Sequence, residues 1–222
     1  TSCWFKVLDF DEETGTGTVQ VGLGKDGITA IHTSVSGTPV IPTSITDEDG
    51  NVYKVTSVGE YAFGSKNYWD ACTYMTSIIL PTTITEIGDF AFRNCLDLST
   101  VSLPSSLETM GKYVFAGCTS LTQARFASRS PLAVLPDSTF ERDYNLQTVM
   151  LPNRLAVIAP RAFAECYYYD EENKVSYGLP SIEIPETVTV IGDEAFFNDQ
   201  LLGNLRMPVN LRSVGASAFE NC

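Results

Sequence analysis

Histidine is nearly missing from this chain: His32 is the only one in 222 residues. A metal site built on two histidines is therefore excluded, and no Ser or Cys nucleophile has a clear base beside it in sequence. His32 lies in a Thr/Ser-rich segment and reads as a solvated loop residue. Basic residues are also scarce, with 14 Lys and Arg against 27 Asp and Glu and a net charge of -13. Nucleic acids and anionic membrane surfaces both need basic patches, so neither is an expected partner. No apolar run reaches the length of about 20 residues that crosses a bilayer, so membrane insertion of this segment is not expected. No signal-peptide pattern opens the sequence, and Thr1 reads as an artificial or mature start. The six cysteines never come at the Cys-x2–4-Cys spacing of a zinc site. Neither metal nor cofactor is expected, and the chain reads as no enzyme. Carboxylates are plentiful enough that composition alone does not exclude a paired-carboxylate hydrolase. No constellation that breaks the pattern described next points to one.

What the chain does have is a repeat. Phenylalanines stand at 63, 92, 115, 140, 163, 196 and 219, each embedded in a variant of Ile87-Gly88-Asp89-Phe90-Ala91-Phe92-Arg93-Asn94-Cys95. The copy at Leu132 to Phe140 is worn. The spacings of 29, 23, 25, 23, 33 and 23 reduce to a period of 23 with additions of 6, 2 and 10 residues. A fixed period of this length marks a solenoid, in which each unit buries its apolar face only against its neighbours.

Leu98 to Cys118 is the type repeat. Val101 and Leu103 lie two apart and point to one face of a strand, while Ser102 points away. Pro104 lacks the N–H a sheet needs and ends the strand, a pattern repeated at Pro81, Pro152, Pro185 and Pro208. A second short extended piece follows at Leu107 to Met110. Gly111 then leads into what reads as one helical turn carrying Phe115. Pro136 and Ala159 replace that Gly in two repeats, so the turn does not demand a positive φ there in every rung.

Residues 1–39 do not repeat and read as an N-terminal β cap: a strand from Cys3 to Phe10, an acidic turn, and a strand from Thr16 to Val21. Gly22 to Gly27 spells G-x-G-x-x-G, but Ile28 to Ile31 is β-like, so it reads as a hairpin turn and not as a dinucleotide loop. Residues 40–222 hold about seven repeats. Each earlier repeat runs on into another strand, so the pattern predicts continuation past Cys222. Cys72, Cys95, Cys118, Cys166 and Cys222 share one repeat position, which Asp143 and Asp199 occupy in two other rungs. Rung spacing would permit a disulfide among Cys72, Cys95 and Cys118. A position shared with Asp points instead to free thiols near main-chain groups.

The pattern L-x-x-I-x-L-P-x-x-L-x-x-I-G-x-x-A-F-x-x-C resembles the BspA-like subgroup of leucine-rich repeats, known from Treponema and Bacteroides surface-type proteins. Leu98 to Cys118, Leu179 to Asp199 and Leu202 to Cys222 carry the resemblance, which covers roughly residues 40–222. Ala127 for Pro, Pro136 and Ala159 for Gly, and Asp143 and Asp199 for Cys depart from it. The resemblance implies an α/β, β-rich leucine-rich-repeat solenoid. Its parallel β-sheet lies on the concave face, with a short helical turn in each repeat and a β-hairpin N-terminal cap. It further implies an exported or cell-surface bacterial protein, non-enzymatic, that binds protein or glycan. Adhesion to host extracellular matrix or plasma proteins, or to other cells, is the expected role. A structural spacer or stalk of a larger surface protein is the alternative, as is a scaffold unit of a secreted hydrolase.

Two sets of residues are candidates for ligand binding. Along the strands, the outward positions are Ile79, Ser102, Arg125, Met150, Glu183 and Arg206, and of these Arg125, Met150, Glu183 and Arg206 are the candidates. In the two large additions to the period stand Tyr68 and Trp69, and Tyr167, Tyr168, Tyr169 and Tyr177. Aromatic residues suit an interface because they bury area at small entropic cost. Equally, such rings can fold back on the solenoid.

Overall fold

The computed structural model describes residues 3–22, 36–65, 71–72, 74–200, 202–203 and 205–222. The segment holding Lys25, Gly27 and His32 lies outside them, and so do Tyr68 and Trp69.

At the N-terminal end, β1 (Phe5–Asp11) and β2 (Thr16–Val21) form an antiparallel hairpin. Asp11 closes its turn by accepting the Glu13 N–H at 2.9 Å. A second hairpin, β3 (Ser44–Thr46) and β4 (Val52–Val58), is likewise held by a carboxylate: Asp47 accepts from the Asn51 and Asp49 amides. From β4 onward, the elements alternate between two ladders. They are β5 (Glu86–Ile87), β6 (Thr100–Leu103), β7 (Thr109–Met110), β8 (Gln123–Phe126), β9 (Val134–Leu135), β10 (Thr148–Met150) and β11 (Val157–Ile158). A lateral hairpin of β12 (Tyr167–Asp170) and β13 (Val175–Gly178) interrupts them, and β14 (Val190–Ile191) and β15 (Ser213–Val214) complete the series.

One ladder is the parallel sheet β6-β8-β10, extended at its N-terminal side by a bridge between Val40 and Ile79. Burial alternates along β6 as period two requires, with Val101 and Leu103 inside and Thr100 and Ser102 outside. The other ladder begins with the longer β2 and β4 and continues in two-residue strands. It runs parallel from β2 through β4 and β5 to β7, and resumes from β9 through β11 and β14 to β15.

The turns that carry the phenylalanines form a third ladder, and here the expectation of a helical turn in each repeat is overturned. No helix occurs among the described residues. The reason lies in where the N–H groups go. Phe90, Phe92 and Asn94 each donate across to the next rung, to the carbonyls of Lys112, Val114 and Ala116, at 2.9–3.0 Å. Arg93 and Cys95 between them donate back to Phe90 and Phe92. An α-helix needs successive N–H groups bonded four residues back along the same segment; here every second one leaves for the neighbouring rung. The backbone permits this by visiting the left-handed region on both sides of each Phe from Phe92 onward. Phe90 and Asn94 have φ of 59° and 62°, Arg161 and Glu165 have 55° and 60°, and Glu194 and Asn198 have 54° and 58°. Non-glycine residues there cost roughly 1–2 kcal/mol each. From Tyr61 to Asn198 the inter-rung bonds offset that cost.

The core is one continuous column. Phe63, Phe92, Phe115, Phe140, Phe163 and Phe196 are fully buried, and successive rings stack with centroids 5.0–5.5 Å apart. Phe219 stacks on Phe196 at 5.2 Å. Beside each ring sit the strand residues of its own rung, as Leu98, Val101, Leu103 and Leu107 do for Phe115.

Where a glycine stands before the turn, it fits a tight space and has no positive φ. A Cβ on Gly111 would lie 2.4 Å from the Asp89 nitrogen, and one on Gly192 would lie 2.5 Å from the Pro160 nitrogen. Except at Pro136, each such position also donates its N–H to the rung before, as Gly111 does to Ile87 and Ala159 to Leu135.

Candidate functional site

Each ladder has a break that coincides with a proline where the other rungs place a donor, after β10 in the sheet and between β7 and β9 in the other. In the sheet, the position of Ser99 hands its N–H to the previous rung. Ser99 donates to Thr76, Thr122 to Ser99 and Gln147 to Thr122, at 2.9–3.0 Å. The next residue in this series is Pro180, which has no N–H to give to the Gln147 carbonyl. Pairing stops at β10, and residues 181–184 form no strand. In the short-strand ladder the corresponding residue is Pro136. Its ring stands where a glycine fits closely, and it cannot donate to Met110. Consequently β7 and β9 are unpaired with each other, and a groove of about 610 Å³ opens among Glu108, Met110, Lys112, Val134, Asp137 and Ala159.

The break at Pro180 opens the larger groove, of about 820 Å³. Its walls include Ser102, Arg125, Gln147, Met150, Asn153 and Glu183. The core shows slightly through its floor: Val149, Leu151, Ile182 and Ile184 are 6–8% exposed, where Val101 and Ala124 in the intact sheet are 0–1%. Met150 is 52% exposed and carries the apolar centre of the groove. Arg125 on β8 and Glu183 beyond the break occupy the same outward position on either side of it. Three of the four strand candidates thus share one groove. Arg206, the fourth, lies outside its walls and forms an exposed ion pair with Glu186 at 3.1 Å. Such a pair is worth about 0–1 kcal/mol.

The tyrosine addition is an ordered hairpin. Asp170 holds its tip, accepting from the Glu172 and Asn173 amides and the Asn173 side chain at 2.8–2.9 Å. These bonds, the one from the Asn173 side chain above all, hold its carboxyl below the ordinary range. Tyr168 lies between Tyr144 at 6.2 Å and Tyr177 at 6.4 Å, yet stays 51% exposed. Tyr169 takes the Lys174 ammonium 6.0 Å above its ring. Tyr167 and Tyr177 are half-buried. None of these tyrosines lines either groove.

The cysteine position is a hydrogen-bonding column. All six thiols are unbridged. Cys118, Cys166 and Cys222 point their Sγ at the carbonyls of Phe92, Phe140 and Phe196, two rungs' turns being linked at 3.0–3.1 Å in each case. Burial pushes the Cys95, Cys118 and Cys166 thiols well up, so these are poor nucleophiles. Where aspartate stands instead, the fit is worse. Asp143 accepts the Cys118 N–H with one oxygen, and its other oxygen is buried without a partner. Neither Asp199 oxygen has a partner. Burial raises Asp143 well above the carboxylate range and Asp199 to about 8. Among the described residues, no three His, Cys, Asp or Glu side chains gather as a metal site. Arg161 is half-buried among Glu141, Glu165 and Glu194, a charge network on the turn side that the sequence pattern did not single out. The two grooves were also missed. Their signal was present: Pro180 and Pro136 stand where aligned repeats carry a residue with an N–H.

No curated protein sequence matches the chain. Among solved structures, a leucine-rich repeat protein from Eubacterium ventriosum is similar at 20% identity with a TM-score of 0.70, over 92% of this chain and 48% of that one. The chain therefore spans about half the length of that relative. The Treponema pallidum leucine-rich repeat protein is similar at 18% identity with a TM-score of 0.51, over all of this chain and 86% of that one. A leucine-rich cell surface protein from Faecalibacterium prausnitzii aligns at 19% identity with a TM-score of 0.47, over 98% and 78%. The first two share the fold. Residues 51–170 and 174–222 match the BspA type leucine-rich repeat region in six copies, and the chain belongs to that family.

Proposed function

We propose that this chain is a non-enzymatic recognition module of a bacterial surface or secreted protein, binding protein or glycan through the groove beside β10. The observation that carries this reading is the groove itself. It places an exposed apolar side chain, Met150, between opposite charges, Arg125 and Glu183, beside the parallel sheet β6-β8-β10. An apolar centre with polar groups around it is the arrangement that interfaces use. The family supports a binding role for the repeats. Host matrix and plasma proteins are the first ligands to screen, and the tyrosine hairpin is a second contact for a large partner. The buried, unreactive thiols supply no nucleophile, in keeping with a non-catalytic role.

The test is a screen of immobilised matrix proteins, plasma proteins and glycans by biolayer interferometry, repeated with Met150→Glu. This reading expects at least a tenfold loss of affinity in the variant for any ligand found. Unchanged binding by Met150→Glu would move the site away from the groove, first to Tyr168 and Tyr169.

A further inference from the structure

In the sheet, successive residues of a strand turn their main-chain groups alternately to the two neighbours. Gln147 and Thr148 donate inward to Thr122, so Val149 turns its N–H and C=O outward, toward residues 181–184. No strand pairing answers them there. The Gln147 carbonyl is left open as well, because Pro180 stands where its donor belongs. The free edge of β10 is thus a short template of one N–H and two carbonyls, running along the floor of the 820 Å³ groove.

We infer that this groove takes an extended peptide segment of a partner protein, which adds to the free edge of β10 as a strand and places a basic side chain between Met150 and Glu183. The inference rests on the binding role proposed for the groove and names its ligand class. Strand addition supplies affinity through main-chain bonds, and alternate side-chain sites supply selectivity. Along an added strand every second side chain points outward, into line with Arg125, Met150 and Glu183. Between Met150 and Glu183, a Lys or Arg lays its aliphatic stem on the methionine and its charge beside the carboxylate. Glu186 is already engaged by Arg206, which leaves Glu183 as the acceptor. The net charge of -13 steers a basic segment toward the chain.

The probe is a fluorescein-labelled, end-blocked peptide Thr-Val-Lys-Val-Thr, followed by fluorescence anisotropy with the whole chain. Binding is expected, with at least a tenfold loss when Lys is replaced by Glu in the peptide. N-methylation scanned along the backbone is expected to weaken binding at alternate residues only, because only those N–H groups face β10. Pro180→Ser restores the missing donor, closes the groove, and is expected to weaken the peptide at least tenfold without lowering Tm. Glu183→Gln, a surface change that leaves folding alone, is expected to cost about tenfold for the basic peptide. No binding at millimolar concentration, equal tolerance of N-methylation at every residue, or unchanged affinity in Glu183→Gln would each overturn the inference. A ligand from the wider screen that is lost with Met150→Glu while the peptide fails would retain the groove and reject the strand mode.

Discussion

The repeat from Leu98 to Cys118 and the repeat from Leu179 to Asp199 follow the same pattern and behave differently. The first gives a four-residue strand that pairs with β8, and its Ser99 N–H bonds to the rung before. The second has the same alternation, with Ile182 and Ile184 inward and Glu183 outward, yet makes no strand. Among their differences, two change main-chain bonding or buried polarity. Pro180 replaces Ser99 and deletes a main-chain donor; Asp199 replaces Cys118 and puts a carboxyl where a thiol served. Side-chain pattern governs which face is buried, whereas ladder continuity depends on single N–H groups. A solenoid tolerates the loss because the Phe column crosses the break undisturbed, with Phe163 and Phe196 stacked at 5.0 Å.

The largest expected effect tests that shared column. Phe92→Ala in a regular rung and Phe196→Ala beside the break are each expected to lose about 3–5 kcal/mol in urea unfolding. If Phe196→Ala cost less than half as much as Phe92→Ala, the core would be discontinuous at the break as the sheet is.

Next comes the buried carboxyl. Asp199 has a folded-state pKa raised to about 8, so the folded chain keeps a proton that the unfolded chain releases near pH 4. Its favourable contribution is present in full below about pH 4 and is lost as pH rises toward 8. Asp143 adds a loss of the same sign. Melting followed by circular dichroism is expected to show Tm falling across this window. Asp199→Cys, which restores the regular rung, is expected to flatten the fall and to gain about 1–3 kcal/mol at pH 8. A Tm that rose from pH 4 to 8 in the wild type would contradict the burial of these groups.

Pro136→Gly sharpens the comparison with a smaller energy. A regained hydrogen bond of about 0.5–1.5 kcal/mol is offset by about 0.4–1 kcal/mol of chain entropy, so stability is expected to change little. Hydrogen exchange reports the structural change instead: the new amide at 136 is expected to be as protected as that of Gly111. Rapid exchange there would mean the gap between β7 and β9 has another cause.

The smallest expected effect is at the hairpin. Replacing residues 168–177 by a short Gly-Ser link is expected to change stability by under about 0.5 kcal/mol, because its strands pair only with each other. A larger loss would show that the contact of Tyr168 with Tyr144 anchors the rung.

Much of this fold is legible in the sequence. The Phe spacing gave the period, Val101 and Leu103 gave the buried face, and Pro104 marked the end of the strand. The form of the Phe turn was not legible. A stretch such as Asp89 to Asn94 suits a helical turn locally, and only the carbonyls of the next rung draw its alternate N–H groups away. The candidate site was half legible: Arg125, Met150 and Glu183 were placed on one outward line, but the groove between them depends on an unmade bond at Pro180.

The sequence by itself determined the repeat, its register and its buried face, because these follow from which side chains are apolar and how often they return. Only the tertiary structure decided where the ladders open, since a hydrogen bond between rungs joins residues 22 or more apart in the chain. It also decided what the turns become, because from Tyr61 to Asn198 the N–H groups of their left-handed residues find acceptors on the neighbouring rung.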